Sequence, residues 1–317
     1  MFDSPLSASA YEVLQVAPDA AEDDLRRAYR LRLRQTHPDT GGDAAQFVQV
    51  QRAWELVGTV EARAAYDRGH GFGADAPRYA PDDAPGDHGP GGSWRPARRS
   101  ADTRPRARSF GQPGGWRRER YLTLMREWAG RGTALPDPYD PALVRTAPHE
   151  LKRLLADALA EEASARIIGD LGMGYTVWHD VAADLRDPDL KIDHIVLGPS
   201  GLYALLSEDF GGPVRVRRGE LIGDGVSGAP VAGLVAAARA VARAARVRFS
   251  GAIVVLPDDD VAAVISELGR VRGIPVSIVG RSALSTLLRR GMTGARDIGG
   301  NELFDVRTRL QAVVRFV

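Results

Sequence analysis

Between Gly69 and about Gly115 the chain loses all apolar periodicity and becomes a run of Gly, Pro, Asp and Arg, "GHGFGADAPRYAPDDAPGDHGPGG" and onward. A stretch with so little to bury cannot offset the entropy of ordering it. It therefore divides the 317 residues into three parts: a helical segment over 7–68, a disordered linker over 69–115, and a larger domain over 116–317. With 44% hydrophobic residues, each flank can build its own core. No internal repeat joins them.

Several classes of function fall away on composition. Net charge is +1, so bulk charge does not make the chain a polyanion binder. Its basic residues are nearly all arginine, with Lys152 and Lys191 the only lysines. The absence of cysteine removes disulfides, thiolate nucleophiles and zinc–cysteine sites. His70 and His88 lack metal-ligand spacing, and neither a metal nor a cofactor is expected. The start "MFDSPLSASAYEVL" has no basic region and no apolar run, unlike a signal peptide. The most apolar helical stretch, "VAGLVAAARAVARAARV", carries Arg239, Arg243 and Arg246, too much charge to span a membrane. A cytoplasmic protein without membrane contact is expected.

In the first segment "SAYEVLQV" predicts a short helix with Tyr11, Val13 and Leu14 inward, ended by Pro18. Asp19 and Glu22 have capping-box spacing for a second helix. That helix places Leu25, Ala28, Tyr29 and Leu33 on one face and Arg26, Arg27, Arg30 and Arg34 on the other. Pro38 disfavours helical geometry at His37 and stops it. A third helix carries Phe47, Val50, Trp54 and Val57 at three- and four-residue spacing, and "VEARAAYDR" makes a fourth. Two helices paired antiparallel would present His37, Pro38 and Asp39 at one tip.

The pattern of Tyr11, Leu14, Val16, Leu25, Ala28, Tyr29, His37-Pro38-Asp39, Phe47, Ala53, Trp54, Leu56, Arg63, Tyr66 and Asp67 resembles a J-domain, the DnaJ co-chaperone module. The resemblance implies that His37, Pro38 and Asp39 act together on a DnaK-type ATPase chaperone and trigger its ATP hydrolysis. It also implies that Arg26, Arg30 and Arg34 dock on an acidic surface of that partner. Three positions depart from the family pattern. Leu31 stands where a basic residue is common, Arg32 where leucine is usual, and Thr36 where an aromatic is common. The Gly/Phe region and zinc-binding cysteine repeats of a full-length DnaJ are missing.

In the linker, "SWRPARRSADTRPRARSFGQPGGWRRER" interleaves arginines with Trp94, Phe110 and Trp116. It fits a flexible tether, and as a second use a weak contact with nucleic acid through phosphates and stacking. Beyond it, helices are expected over "WRRERYLTLMREWAG" and "APHELKRLLADALAEEASARIIGDL". Strands are expected at "YTVWHDV", "KIDHIVLG", "GLYALLS" and "PVRVRR", then the alanine-rich helix, "SGAIVVLP", a helix, "PVSIVG" and a helix over 282–290. This order implies a mixed sheet with helices on both faces.

"GYTVWHDV", "IDHIVLGPSGLYAL" and a closing Gly-Gly make this part similar to the nuclease-related domain called NERD, of the restriction-endonuclease-like superfamily. The resemblance implies a metal site for phosphodiester hydrolysis built from a helix glutamate, a strand aspartate and a Glu-x-Lys on the next strand. Glu161 and Asp193 match the first two. The Glu-x-Lys positions hold Leu206 and Glu208, which leaves the site degenerate and with no lysine nearby. Leucine cannot ligate a metal, and Glu208 inverts a charge that should face phosphate. The expectation is a co-chaperone rather than an enzyme, with an inactive nuclease-like domain for targeting or client binding. The alternative is a nucleic-acid-binding protein or metal-dependent nuclease with an accessory J-domain.

Overall fold

A computed structural model describes residues 4–70, 105–130, 132, 134–184, 187–295 and 298–317. Most of the expected disordered linker, including His88 and Trp94, lies outside the described residues, and so does the first part, 93–104, of the arginine-rich segment read for nucleic-acid contact. The chain forms two compact units, one containing 7–95 and 134–147 and the other 96–133 and 148–317.

In the first unit α1 (Ala10–Leu14) opens on a capping box. Ser9 Oγ accepts from the Glu12 amide, and Glu12 accepts from the Ser9 amide at 2.7 Å. The helix ends at Gln15, which takes left-handed geometry, before Pro18 is reached. The next helix, α2 (Glu22–Thr36), starts after Ala21, with no side-chain cap. Asp19 therefore does not cap it. The amide of Ala20 closes a turn onto Ala17 instead, and the acidic first turn of Glu22, Asp23 and Asp24 answers the exposed amides. Then follow α3 (Ala44–Val57) and α4 (Val60–His70). Leu25, near the start of α2, and Val57, at the end of α3, line one cavity, so the two helices run antiparallel.

The core of this unit is Tyr11, Leu14, Leu25, Val50, Ala53, Val57 and Tyr66. Tyr29 stacks on Trp54 with ring centres 4.4 Å apart. Arg63, Tyr66 and Asp67 clamp α4 to the start of the chain. Tyr11 donates to Asp67 at 2.5 Å, the Ala10 amide donates to the Tyr66 hydroxyl, and Arg63 donates to Tyr11 and to the carbonyls of Pro18 and Ala20. Leu56 is 43% exposed and takes no part in the core.

The second unit begins with β1 (Arg108–Phe110) and α5 (Gly115–Ala129). Phe110, read from the sequence as a linker aromatic, thus belongs to a strand and stacks on Trp178 at 6.0 Å, and Trp116 lies in α5, where a helix was expected. A short helix, α6 (Pro141–Thr146), packs with the helical unit. Next come α7 (His149–Gly169), β2 (Thr176–Asp184), β3 (Asp187–Gly198) and β4 (Gly201–Ser207). After them lie β5 (Arg215–Arg217), β6 (Glu220–Ile222), α8 (Pro230–Ala245) and β7 (Gly251–Leu256). The chain closes with β8 (Ile265–Val271), β9 (Ile274–Gly280), α9 (Leu284–Arg290) and α10 (Gly300–Val313).

A seven-stranded mixed sheet runs in the order β1-β2-β3-β4-β7-β9-β8. The β2-β3-β4 meander is antiparallel, α8 carries the crossover between parallel β4 and β7, and the chain passes through β8 before β9 pairs parallel to β7. One apolar cluster joins the sheet to α8 and α10, and another joins it to α7 and α9. Helices cover both faces, as the order of elements implied. Several elements differ from the sequence reading: β1, α6, β6 and α10 have no counterpart in it, and two others changed place or type. The "PVRVRR" strand stands apart from the sheet in the β5-β6 hairpin. The stretch expected as a helix before "PVSIVG" is β8, antiparallel to β9, with Ser266 and Leu268 more covered than their neighbours in an alternating pattern. Among the described residues no helix is long and apolar enough to cross a membrane.

The Arg63 clamp is testable. Replacing Arg63 by Met removes its donors to two backbone carbonyls and Tyr11, and should lower stability by about 1–3 kcal/mol, read from the urea transition of the helical signal.

Candidate functional site

Two groups of polar residues stand out, one in each unit. In the first, α2 ends at Thr36, and His37 leaves helical geometry with φ −64° and ψ 127°. Pro38–Thr40 form one 3-10 turn. His37 Nδ1 accepts from the Asp39 amide at 3.2 Å, which places the ring proton on Nε2. The ring packs edge-on against Phe47 with centres 5.0 Å apart. The His37 carbonyl accepts from the Gly42 amide, and a Cβ on Gly42 would sit 2.3 Å from the Thr36 carbonyl carbon. Only glycine lets the loop fold back this closely. Asp39 keeps 88% of its side chain exposed, so it is free of any burial cost until a partner arrives.

Arg26, Arg30 and Arg34 are all exposed on α2. Arg26 bonds Glu22, and Arg34 Nε donates to the Arg30 carbonyl at 3.3 Å. The acidic first turn thus offsets charge at the start of the helix, and the stretch nearer the loop is the more basic. Leu31, 53% exposed, adds an apolar contact to that stretch.

In the second unit the expected residues Glu161, Asp193 and Glu208 come together. A 21-residue helix, α7, carries Asp157 and Glu161 one turn apart on its buried side. Asp193 sits on β3 with Oδ2 accepting from the Ser207 amide at 2.7 Å. Glu208 directly follows β4. Leu206 packs against the apolar core and leaves the group, as its chemistry requires.

Four further members were not singled out as members of this site. Asp180, on β2, adopts φ 51°, a left-handed conformation that Asp tolerates better than most residues. Asp157 joins from α7. Lys191 lies two residues before Asp193, and its Nζ donates to Glu161 at 2.7 Å, Asp180 at 2.6 Å and Asp193 at 2.8 Å. The expectation of no lysine nearby is therefore wrong: the lysine comes from β3 rather than from the strand after it. Arg117, on α5, donates to Asp157 at 2.7 Å, Glu161 at 2.5 Å and Glu208 at 2.6 Å. Gly114, left-handed with φ 68°, lets α5 approach the Ala158 carbonyl closely and donates its own amide to Glu161. One signal was available: "KID" on a strand puts Lys191 and Asp193 on the same side.

The charges follow from burial. Burial opposes the Lys191 ammonium, yet Asp193 and Glu161 outweigh it and hold its pKa above the ordinary value. Burial, reinforced by Glu161, lifts Asp193 to about 6 despite Lys191, so it is still ionised at pH 7. Burial also raises Glu161. For Glu208 burial is outweighed by Arg117, and its pKa is lowered.

Glu161, Asp180 and Asp193 offer oxygens within 4.8 Å of one another, a spacing that can hold a metal ion. The residues around them do not fit one, because each of the three already accepts from Lys191, and Arg117 binds Glu161 from the other side.

A helical hairpin that holds His-Pro-Asp at its tip beside a basic helix defines the J-type co-chaperone module. Residues 9–67 match the family model "DnaJ domain", and this part of the chain is a DnaJ domain. Similar curated proteins include a DnaJ protein homolog of Cucumis sativus, 41% identical over 66 residues, which is 21% of this chain and 15% of that protein. Chaperone protein DnaJ of Gloeobacter violaceus is 44% identical over 61 residues, 18% of this chain and 16% of the relative. Chaperone protein dnaJ 2 of Arabidopsis thaliana is 36% identical over 80 residues, 25% of this chain and 18% of the relative. The chain thus spans less than a fifth of the length of each. No solved structure matches this chain at a significant level.

A pH dependence follows from a neighbouring pair. His179 and His194 meet Nδ1 to Nδ1 at 2.8 Å, and His179 Nε2 pairs with Ser109 at 2.8 Å. Burial pushes His179 down to about 4. The folded state then refuses a proton that the unfolded state takes below about pH 6.5, so stability is lost as pH falls from there toward 4. Asp193 acts with the opposite sign, because its raised pKa lets the folded state bind a proton first. Comparison with a variant isolates the histidine. Between pH 7 and 4, wild type should lose about 3 kcal/mol more than His179→Gln, measured by urea unfolding.

Proposed function

We propose that the chain is a J-domain co-chaperone that stimulates ATP hydrolysis by a DnaK-type chaperone through His37, Pro38 and Asp39. DnaJ domains generally partner chaperones of that type. The observation that carries the reading is the loop itself: a turn that ties the Asp39 amide to His37 Nδ1 and leaves the Asp39 side chain in water. Asp39 suits a charge-assisted bond to a partner arginine. Arg26, Arg30 and Arg34 would orient and speed the encounter with an acidic surface. The module is not itself an enzyme, since hydrolysis occurs in the partner.

In this reading residues 7–68 form the J-domain, 69–115 a flexible tether, and 116–317 a restriction-endonuclease-like, NERD-related domain that has lost hydrolysis and serves targeting or client binding. The tether's weak contact with nucleic acid and a cytoplasmic setting belong to the same proposal. A second reading, a metal-dependent nuclease with an accessory J-domain, draws support from the convergence of Glu161, Asp180 and Asp193.

Wild-type protein should raise the ATPase rate of a compatible DnaK-type chaperone, and His37→Gln should return it to the chaperone's basal rate with the helical signal intact. A wild type without stimulation would refute the co-chaperone reading. Replacing Arg26, Arg30 and Arg34 together by Ala should weaken the stimulation about tenfold at low salt and flatten its salt dependence, as steering by charge requires. Mg²⁺-dependent cleavage of DNA or RNA by wild type, lost in Asp193→Ala, would favour the second reading.

A further inference from the structure

Glu161, Asp180 and Asp193 pose a problem of charge. All three are buried, at 0%, 2% and 0% exposure, with oxygens within 4.8 Å of one another. Carboxylates packed this closely away from water require a cation. The chain supplies it. An ammonium has three N–H donors, and Lys191 gives one to each carboxylate, at 2.7, 2.6 and 2.8 Å.

The remaining oxygens are engaged as well. Glu161 Oε2 accepts from the Gly114 amide at 3.0 Å, Asp180 Oδ2 from the Trp116 amide at 3.3 Å, and Asp193 Oδ2 from the Ser207 amide at 2.7 Å. Every carboxylate oxygen of the triad thus has a donor from the protein. A divalent ion that binds through oxygen, and keeps some of its water, would need the space that Nζ fills. Arg117 is a separate cation. It meets the triad only at Glu161 and otherwise bonds Asp157 and Glu208.

We propose that Lys191 is the resident cation of this site. Its ammonium stands where a divalent ion would sit between Glu161, Asp180 and Asp193. The wild-type protein binds no such ion there, and removal of that one charge uncovers a site for Mg²⁺ or Mn²⁺. The inference deepens the reading of the second unit as a degenerate nuclease-like domain. Its readout is cation binding, so it fails separately. Cleavage by wild type would sink that reading, whereas metal binding by wild type at this site sinks this one.

The probe is Mn²⁺, followed by calorimetry and thermal melting on the full chain. Wild type at about 1 mM Mn²⁺ should show no binding dependent on Asp193 and an unchanged melting temperature. Lys191→Met keeps the aliphatic stem and should bind one Mn²⁺ per chain, with melting raised by about 5 °C and the rise reversed by chelator. Adding Asp193→Asn to that variant should abolish the binding. Arg117→Met should behave as wild type, because Lys191 remains in place. If Lys191→Met fails to fold without metal, Lys191→Met with Asp180→Asn removes one negative charge and serves in its stead. Wild-type binding lost in Asp193→Asn, binding in Arg117→Met, or a folded variant without Lys191 that ignores Mn²⁺ would each overturn the proposal.

Discussion

Lys191 places its ammonium among Glu161, Asp180 and Asp193, and the elements of the second unit are arranged around that contact. The carboxylates arrive from α7, β2 and β3, so one buried cation ties a helix to two adjacent strands. Arg117 extends the network to α5 and to Glu208 at the end of β4. Without these cations the helix and strands would bring like charges together in a water-poor interior, which is unfavourable by several kcal/mol per ion. Charge balance thus adds a second set of ties between elements that the apolar clusters also join.

The two polar groups of this protein are built on opposite principles. At the end of α2 the fold spends its hydrogen bonds on the backbone: the Gly42 amide meets the His37 carbonyl and the Asp39 amide meets the His37 ring. The charged end of Asp39 is left in water, where a partner can reach it. Beneath the sheet the carboxylates are consumed by donors from the same chain. The first arrangement suits recognition by a second molecule. The second suits a scaffold whose polar residues now serve cohesion.

The helical unit was largely legible in the sequence, because its helices obey local periodicity and His-Pro-Asp carries its own stop. The exception is the start of α2, where Asp19 had the right spacing for a cap but a turn closed on Ala17 delayed the helix to Glu22. In the second unit, β8 was misread because its edge position leaves only every other residue partly covered, a weak pattern in seven residues. Three-residue β1 carries no periodicity at all and exists because β2 offers it an edge. Glu161, Asp193 and Glu208 could be named through resemblance. Lys191 was overlooked because a lysine was sought on the strand after Asp193, whereas the fold recruits it from the same strand.

By itself the sequence determined the helical hairpin, its stop at Pro38 and the charges on α2, since each depends on neighbours within a few positions. Tertiary structure alone decided which cation answers which carboxylate. Asp157, Glu161, Asp180, Lys191, Asp193, Glu208 and Arg117 span about a third of the chain, and only packing of α5 and α7 against the sheet brings them within hydrogen-bond reach. A buried charge has no preference that shows in local sequence. Its partner is whichever opposite charge the fold holds close enough to replace water.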